Sequence, residues 1–251
     1  MMYKSIIAFV GIALMVAGCD PVIDDTHSSS TTSAVVIGVE NGYAGNCPGS
    51  LKDASSMKEI LSKYTKNVEV LVDKQATADK VASAIENAVK SNLAIIYYSG
   101  HGGSVYTGNN NEVDKTDEFL CCYDTSLLDD KIWSIIRKSK GRVFLIFDCC
   151  HSETMYRTPG ITFGKQMKLM SSSSRSATPN MLCWSGCPDD SYSYGSAYGG
   201  YFTLALCDAY SANKTYDDIW KSILNNKNLK STQKVRLTKI GDFDTTKKIF
   251  K

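Results

Sequence analysis

The chain has 251 residues, of which 43% are hydrophobic and 22% are charged, and its formal net charge is +2. This is an ordinary globular composition, sufficient to bury a full core in one large domain. Because the net charge is small and no long basic or acidic run occurs, the composition does not indicate nucleic-acid binding, and we expect no nucleic-acid partner.

The first residues are typical of an export signal. Lys4 precedes the apolar stretch IIAFVGIALMVAG, which is too short to span a bilayer comfortably and has the length of a signal-peptide core. The stretch ends at Cys19 in VAGC, which resembles the bacterial lipobox, where a lipidated Cys becomes the mature N-terminus. We therefore expect a lipoprotein signal peptide over residues 1–18 and a lipid anchor on Cys19. An ordinary signal peptide and a buried N-terminal helix are the alternatives.

The segment that follows Cys19 is polar and rich in Ser and Thr. Residues 20–33, DPVIDDTHSSSTTS, show no apolar periodicity, which is typical of a flexible tether. We predict a tether over residues 19–33 and a single folded domain over residues 34–251, with no internal repeat. We expect the lipid anchor to hold this domain, as a monomer, on the extracytoplasmic side of a membrane in a bacterial cell envelope.

Within the domain, short apolar runs rich in β-forming residues alternate with helical patterns. The runs predicted as strands are residues 34–39, 68–72, 93–98, 143–147 and 181–184. The patterns predicted as helices are residues 51–64, 77–91 (with Thr77 as a capping residue), 127–139, 201–212 and 216–226. This alternation predicts an α/β fold: a three-layer sandwich in which helices cover both faces of a mostly parallel central sheet. Residues 156–180 are predicted to form a long mobile loop.

Nine Cys is a high number, and eight remain once Cys19 is set aside. An even remainder in an exported protein is compatible with disulfides, but a domain of this size does not need them. Two of the Cys pairs are adjacent in the sequence, where a disulfide is strained. We expect mostly buried thiols and leave one or two disulfides open. Zinc ligation is disfavoured because no C-x-x-C motif occurs and only three His are present.

Reactive side chains follow two of the predicted strands. IIYYSGHGG places Ser99 and His101 after one strand, and LIFDCCHS places Asp148 and Cys150 after another. In open α/β sheets, active groups collect beyond the carboxyl ends of the strands. A thiol and an imidazole are the groups that cysteine catalysis needs, together with backbone donors for the oxyanion. The two motifs therefore predict a catalytic site at this edge of the sheet.

Side-chain alternation distinguishes the two adjacent thiols. Along an extended chain, Asp148 and Cys150 face one side and Cys149 faces the other. Cys150 is therefore the predicted nucleophile, and Cys149 is predicted to be a packing residue. His151 is too close to Cys150 in the sequence to reach back to its sulfur, so His101 is the predicted base.

Together, YYSGHGG and DCCHS resemble the metacaspase branch of the caspase-like superfamily of cysteine peptidases, whose nucleophile lies in a D-x-C-H-S segment. AVVIGVENGYAGNCPGSLKDASSMKEIL, TDEFLCCYD, LLDDKIW, MLCWSGCPDDSYSYGSAYGGYFTLAL and QKVRLT are similar to other metacaspase segments, so the resemblance covers about residues 34–245. It implies a caspase-hemoglobinase fold and an endopeptidase that cleaves polypeptides after Arg or Lys. A peptidase of the clostripain or gingipain type and a catalytically inactive, peptide-binding caspase-like lipoprotein are the alternatives. One departure is Glu153, which stands where the family usually has Gly after CHS.

The resemblance also implies the other residues of the site. In metacaspases the specificity pocket is acidic, and its residues correspond to Asp53, Ser99 and Asp148 in this chain. Carboxylates in a partly buried pocket favour a cationic side chain through charge-assisted hydrogen bonds. We expect the backbone N–H groups of Gly102 and Cys150 to stabilise the oxyanion.

Many metacaspases need calcium, which carboxylates bind. Asp129 and Asp130 resemble the paired acids of that site, and Asp114 or Asp117 could contribute a further carboxylate. The first turn of a helix explains Asp129 and Asp130 equally well. Arg157 stands at a downstream position where the family has an acid, and its charge repels the ion. We therefore predict that no cofactor is required and that calcium is at most an optional activator.

Overall fold

The structure, a computed structural model, describes residues 31–107, 116–155 and 178–249. The predicted signal peptide, Cys19, nearly all of the tether and most of the predicted loop over residues 156–180 lie outside the described residues. The predicted domain boundaries and the lipid anchor therefore stay predictions. No helix within the three described ranges is long and apolar enough to cross a membrane.

The described residues contain both α-helices and β-strands, which alternate along much of the chain. The α-helices are α1 (Ser50–Leu61), α2 (Ala78–Ala88), α3 (Asp129–Ile136), α4 (Tyr201–Ala209), α5 (Tyr216–Leu224) and α6 (Lys227–Thr232), and a 3-10 helix covers Asp73–Gln75. The strands are β1 (Thr32–Gly38), β2 (Asn41–Gly42), β3 (Gly45–Asn46), β4 (Val68–Val72), β5 (Leu93–Ser99), β6 (Gly102–Tyr106), β7 (Thr116–Cys121), β8 (Ser126–Leu128), β9 (Arg142–Asp148), β10 (Asn180–Ser185), β11 (Gly195–Ser196), β12 (Gly199–Gly200) and β13 (Arg236–Ile240).

Six of these strands form a central sheet in the order β13-β10-β9-β5-β1-β4. Strands β10, β9, β5, β1 and β4 run parallel, and the edge strand β13 is antiparallel to β10. Because parallel strands must be joined by crossover connections, their carboxyl ends all meet at one edge of the sheet. The predicted three-layer α/β architecture with a mostly parallel sheet is confirmed.

Helices cover both faces of the sheet, and alternate residues of each central strand enter two different apolar cores. On β9, Leu145 and Phe147 join the core under α2 and α3, whereas Phe144 and Ile146 join the core under α1, α4 and α5. All four side chains are fully buried. Burial on both faces is the reason that the strand sequences are continuous apolar runs rather than alternating patterns.

The observed elements differ from the predicted ones mainly at their ends. Each of α1 to α5 ends two or three residues before its predicted end. After α1, for example, Lys63 N–H donates to Ile60 O and Tyr64 N–H donates to Leu61 O, so these residues form a tighter final turn. Thr77 precedes α2 as predicted, but its side chain makes no capping hydrogen bond, so that part of the prediction was wrong.

We did not predict the three-stranded antiparallel sheet β6-β7-β8. Three of the five residues of β6 are exposed, so no continuous apolar run marks its antiparallel pairing with β7. Local apolar patterns do not report such pairings. This small sheet follows His101 directly and therefore fixes the path of the chain beyond the catalytic motif.

All eight cysteines of the described residues are free thiols. Five are buried, and Cys47, Cys150 and Cys207 are partly exposed. This agrees with the expectation of mostly buried thiols, and neither of the disulfides left open by the sequence occurs in the described part of the chain.

Candidate active site

A cleft of about 150 Å³ opens at the carboxyl edge of the central sheet. Its walls are the loop between β1 and α1, the end of β5, the end of β9 and the segment that leads into α4. From β1 the chain passes to the edge strand β4 and then returns to β5, on the other side of β1. Ligand sites of open α/β sheets lie where the strand order reverses in this way.

The site residues lie on the side of the sheet that α1 and α4 cover. Ser99 and Asp148 are paired in register at the ends of β5 and β9, and Asp53 approaches them from α1. Cys149 is 1% exposed and belongs to the opposite core, under α2 and α3. Cys150 is partly exposed and lines the cleft. This placement agrees with the side-chain alternation that favoured Cys150 over Cys149.

The thiol of Cys150 lies in the turn that directly follows β9. Its Sγ is 3.8 Å from the carbonyl oxygen of Ser193, which accepts from the thiol S–H. Burial raises the pKa of the Cys150 thiol and the charge of Asp148 raises it further, whereas backbone hydrogen bonding from Ser193 and from Cys150 itself to the sulfur lowers it. The thiol therefore keeps its proton in the free protein near neutral pH and needs a base for attack.

The turn that carries the thiol has an unusual backbone conformation. His151 has a φ of 53°, in the left-handed region that non-glycine residues rarely adopt. Its Nδ1 contacts the carbonyl oxygen of Asp189, which holds the ring away from the cleft. Gly102 packs against the same turn so closely that a Cβ there would lie 2.3 Å from the carbonyl oxygen of Cys150. The position therefore requires glycine.

The imidazole of His101 is oriented by a backbone carbonyl. Its Nε2 is 3.1 Å from the carbonyl oxygen of Asn46, in the β1–α1 loop. Because a carbonyl can only accept, this contact assigns the proton to Nε2 and leaves the lone pair on Nδ1. The backbone of His101 is fixed as well, since its carbonyl oxygen accepts from the Tyr98 hydroxyl at 2.7 Å and from the Cys121 N–H at 3.0 Å.

Asp148, at the end of β9, accepts three hydrogen bonds. The Ser193 hydroxyl donates to Oδ1 at 2.6 Å, and Thr203 donates to Oδ2 through its N–H at 2.9 Å and its hydroxyl at 2.7 Å. Thr203 lies in the first turn of α4, so the positive end of the helix dipole faces the carboxylate. Burial raises the pKa of Asp148 above its usual value, although the hydrogen bonds from Ser193 and Thr203 act in the opposite direction.

Asp53, on α1, is the second carboxylate of the cleft. Its Oδ2 accepts from the Ser99 hydroxyl at 2.8 Å and from the Gly200 N–H at 2.9 Å. Within the described residues no donor reaches Oδ1, so this atom can accept from a ligand in the cleft. Burial, followed by the charge of Asp148, raises the pKa of Asp53 to about 7.

Two glycines allow α4 to approach both acids. A Cβ on Gly200 would lie 2.1 Å from Oδ2 of Asp148, and a Cβ on Gly199 would lie 2.3 Å from Oδ1 of Asp53. Any other residue at these positions displaces a carboxylate. The Gly-Gly pair before α4 therefore allows the backbone to lie directly against the carboxylates of Asp53 and Asp148.

The structure brings Asp53, Ser99, His101, Asp148 and Cys150 together around one cleft, as the sequence predicts. Gly102 contacts the nucleophile turn from outside the lining, so the oxyanion roles of its N–H and of the Cys150 N–H stay predictions.

Glu153, the departure from the family pattern, forms an ion pair with Arg236 at the start of β13. The distance between Glu153 Oε1 and Arg236 Nε is 3.4 Å. This pair links the nucleophile turn to the edge strand of the sheet. Both side chains are partly exposed, so the ion pair contributes about 1 kcal/mol or less to stability.

The acids predicted as an optional calcium site lie apart from the cleft. Asp117 and Asp129 are buried and Asp130 is exposed, while Asp114 lies outside the described residues. Oδ1 of Asp117 is buried without a hydrogen-bond partner, and burial, followed by the charge of Asp117, raises the pKa of Asp130. Yet the described ranges contain no group of three or more His, Cys, Asp or Glu side chains that could hold a metal ion. The described residues do not fit a calcium site by themselves, and no catalytic step is assigned to calcium.

Sequence reasoning missed the residues that hold the base and the two acids. Asn46 acts through its backbone carbonyl, so its side chain carries no signal. Ser193, Thr203 and Gly200 lie in the segment that resembles metacaspases, but no local pattern indicates which of its polar groups meets Asp148. Only the docking of the α4 N-terminus against the strand ends brings these donors to the acids.

The family model described as "Caspase domain" matches residues 31–240, from the residue before β1 to the end of β13. The chain belongs to the caspase-domain family. The resemblance to the caspase-like superfamily, which the His and Cys motifs indicated, is thus confirmed over residues 31–240.

Metacaspases are among the relatives of this caspase domain. It is 23% identical over 286 residues to Metacaspase-1 of Pyricularia oryzae. The alignment covers 84% of this chain and 72% of that protein. It is 26% identical over 150 residues to Metacaspase-3 of Arabidopsis thaliana. This alignment covers 51% of this chain and 41% of that protein. The chain thus spans less than half the length of the plant relative. These relatives support the class of cysteine peptidases for this chain.

Solved structures share the same architecture. Protein GSU0716 from Geobacter sulfurreducens is similar with a TM-score of 0.68 and 25% sequence identity, over 87% of this chain and 98% of that chain. Caspase-1 from Spodoptera frugiperda is similar with a TM-score of 0.58 and 12% identity, over 83% of this chain and 86% of that chain. The second likeness concerns the fold alone.

Proposed function

We propose that this caspase domain is a cysteine endopeptidase in which His101 and Cys150 form the catalytic dyad and which cleaves polypeptides after Arg or Lys. The observation that carries the proposal is the pair of buried carboxylates, Asp53 and Asp148, in the cleft that His101 and Cys150 also line. Among the described residues, no Lys or Arg lines that cleft. The guanidinium or ammonium group of a substrate is the partner that such a pocket lacks.

In the acylation step, His101 Nδ1 accepts the proton of the Cys150 thiol while the sulfur attacks the carbonyl carbon after Arg or Lys. The new S–C bond converts the carbonyl oxygen to an oxyanion, which the N–H groups of Cys150 and Gly102 stabilise. The C–N bond then breaks, and His101 returns the proton to the leaving amine. An acyl-enzyme on Cys150 remains.

In the deacylation step, His101 accepts a proton from water, and the resulting hydroxide attacks the thioester carbon. The C–S bond breaks, the carboxylic acid product leaves, and the proton on His101 restores the thiol. The contact of His101 Nε2 with the Asn46 carbonyl supports this cycle because it keeps Nδ1 as the atom that exchanges protons.

The substrate's own cation assists the nucleophile in this proposal. Asp148 raises the pKa of the Cys150 thiol, so a positive charge placed beside Asp148 offsets that effect and favours the thiolate. A substrate with a neutral side chain before the scissile bond forgoes both this assistance and the charge-assisted hydrogen bonds.

The test is a panel of fluorogenic peptides that differ in the residue before the cleaved bond, incubated with the full chain. We expect cleavage after Arg and Lys, weak or no cleavage after citrulline (a neutral isostere of Arg) and none after Asp. The panel is run with calcium and with a chelator, and we expect activity in both because Arg157 stands where the family has an acid. Cleavage after Asp but not after Arg would contradict the proposal.

The inactive alternative is separated from the peptidase by a covalent probe. A peptide electrophile with an Arg side chain labels Cys150 only if the thiol attacks a bound substrate analogue. We expect labelling in the wild type and none in His101→Ala. Binding of basic peptides without labelling or cleavage would favour a peptide-binding protein.

We also propose that the protein is a monomeric, lipid-anchored envelope protein, held through Cys19 on the extracytoplasmic side of a membrane. The VAGC motif and the polar segment that follows it support this proposal. Metabolic labelling with a fatty acid is expected to mark the wild type and not Cys19→Ser. Labelling of the variant would contradict the anchor.

A further inference from the structure

The edge of the sheet opposite the cleft, which we call the amino edge, is built from the loops that precede β4, β5 and β9, from the loop between α4 and α5 and from the segment after β13. It consists of residues 62–67, 89–92, 137–141, 210–215 and 241–249, together with Arg142, the first residue of β9. The last of these segments follows β13, whose antiparallel direction brings the chain back to this edge.

Three of these segments meet beside the first described residues. The Thr65 hydroxyl donates to Thr32 O at 2.6 Å, and the Thr31 N–H donates to Oδ1 of Asn92 at 3.0 Å. The Arg142 N–H donates to Asn92 O at 2.8 Å. Thr31, the first described residue, therefore lies at the amino edge.

The amino edge is strongly basic, although the chain as a whole is nearly neutral. Its loops and Arg142 contain ten Lys and Arg and two Asp, a net charge of +8, compared with +2 for the entire chain. Glu59 and Glu86, in the last turns of α1 and α2, pair with Lys63 and Lys138 at 3.3 and 3.6 Å. Asp217 and Asp218, in the first turn of α5, are hydrogen-bonded to Thr245 and Thr215 of this edge, and together the four acids reduce the excess to four charges. The rest of the chain carries a net charge of −6, so positive charge is concentrated at this end of the molecule.

The basic side chains of this edge are displayed to solvent rather than gathered in a pocket. Lys66, Lys90 and Lys140 are exposed and come from three different loops. A small anion is bound by donors that converge on one point, whereas charges spread over several loops match an extended anionic surface.

We propose that the amino edge rests on an anionic phospholipid bilayer and that the cleft consequently points away from the membrane. Only eleven residues separate Cys19 from Thr31, so a chain anchored at Cys19 keeps this edge within at most about 40 Å of the bilayer. Electrostatic attraction to lipid phosphates acts within about 8 Å at physiological salt, so the edge must approach the headgroups closely. The seven-residue strands then hold the cleft about 23 Å further out.

The inference goes beyond peptidase activity and does not depend on it. It is also distinguishable from lipidation, because the same lysines can be compared on both kinds of vesicle in the Cys19→Ser variant. What the basic edge determines is the orientation of the domain once the chain is held at the surface.

The experiment measures the reactivity of individual lysines in the full chain reconstituted into vesicles. One preparation is pure phosphatidylcholine, and the other is a mixture of phosphatidylcholine with phosphatidylglycerol. Lysine acetylation is read out residue by residue by mass spectrometry. We expect Lys66, Lys90 and Lys140 to react about fivefold more slowly on the anionic vesicles, and this protection to disappear at high salt.

The chain provides its own control lysines at the other end of the domain. Lys227, Lys230 and Lys234 lie on or after α6, next to Gln233, whose side chain donates to Gly186 O beyond the carboxyl end of β10. We expect these lysines to react equally on both kinds of vesicle. Equal protection of both groups, protection of neither, or failure of the chain to float with anionic vesicles would overturn the proposal.

Matched charge reversals add a second readout. In the variant Lys66→Glu/Lys90→Glu/Lys140→Glu we expect Lys63 and Lys138 to lose their protection, whereas the same change of charge in Lys227→Glu/Lys230→Glu/Lys234→Glu leaves it intact. All six side chains are exposed, so both variants are expected to fold, which thermal melting checks. RNA is also added to the detergent-solubilised chain. If RNA slows the acetylation of the amino-edge lysines while anionic vesicles do not, the surface binds nucleic acid and the membrane proposal is wrong.

Discussion

The two ends of the sheet carry charges of opposite sign, and these charges differ in burial and in hydrogen bonding. At the carboxyl edge, two carboxylates are buried, and fixed donors from Ser99, Ser193, Thr203 and Gly200 hold them in place. At the amino edge, an excess of positive charge is exposed and only loosely paired. Buried charges need an organised shell of hydrogen bonds and shift in pKa, which makes them selective for a partner of fixed geometry. Exposed charges are screened by salt and suit a partner without a fixed shape.

The largest effect that tests this difference concerns the nucleophile at the carboxyl edge. Cys150→Ala removes the attacking sulfur, so we expect kcat/KM for an Arg peptide to fall by about 10⁴-fold or more. Cys149→Ala, the matched control, removes a thiol from the core under α2 and α3 and is expected to keep activity of the wild-type order. An inactive Cys149→Ala beside an active Cys150→Ala would reverse the assignment of the two thiols.

A smaller effect is expected at the acidic pocket. Asp53→Asn keeps an oxygen that accepts from Ser99 and Gly200 but removes the charge. We expect kcat/KM for the Arg peptide to fall by about 100-fold, because one partner of a desolvated charge pair is lost. The same variant should cleave the citrulline peptide about as well as the wild type does. An equal loss on both peptides would show that Asp53 supports the structure rather than the recognition of charge.

The raised pKa of Asp53 predicts a pH dependence of recognition. Because its pKa is about 7, Asp53 is neutral at lower pH and ionised at higher pH. The ratio of kcat/KM for the Arg peptide to that for the citrulline peptide should therefore fall as the pH is lowered through about 7. Taking this ratio cancels those pH effects on the catalytic step that are common to both peptides. A ratio that stays constant from acid to neutral pH would contradict the assignment.

The same shift predicts a cost in stability that binding of a cation relieves. The pKa of Asp53 is raised from 3.8 to about 7, so the unfolded chain releases this proton at lower pH than the native protein does. Asp53 therefore makes the free protein less stable as the pH rises from about 4 to about 7. At pH 8 we expect Asp53→Asn to be more stable than the wild type by about 1–3 kcal/mol in denaturant unfolding. A less stable variant at this pH would show that the hydrogen bonds to Asp53 outweigh its desolvation.

The smallest effect is expected at the amino edge. Lys66→Glu/Lys90→Glu/Lys140→Glu changes exposed side chains at the end of the sheet opposite the cleft, so kcat/KM for a soluble Arg peptide should change by less than about twofold at physiological salt. A large change would mean that the two ends of the sheet are coupled.

Much of the fold could be predicted because buried parallel strands leave a local signature. The five central strands appeared as apolar runs, and the helices between them appeared at helical spacing. The sheet β6-β7-β8 was not predicted, because β6 is largely exposed and its sequence GGSVY contains no continuous apolar run. The predicted capping role of Thr77 was wrong because a capping hydrogen bond depends on the rotamer of one side chain, which the sequence pattern does not report.

The candidate site divides in the same way. By itself, the sequence determined that a thiol, an imidazole and an acid follow two strand ends, and the period of an extended chain separated Cys150 from Cys149. Only the tertiary structure decided the burial, the hydrogen-bond partners and the charge states of those groups. The N-terminus of α4 delivers the donors that keep Asp53 and Asp148 in one pocket, and the Asn46 carbonyl determines which nitrogen of His101 is free. Burial and hydrogen bonding between distant segments set charge states, and neither quantity exists until the chain has folded.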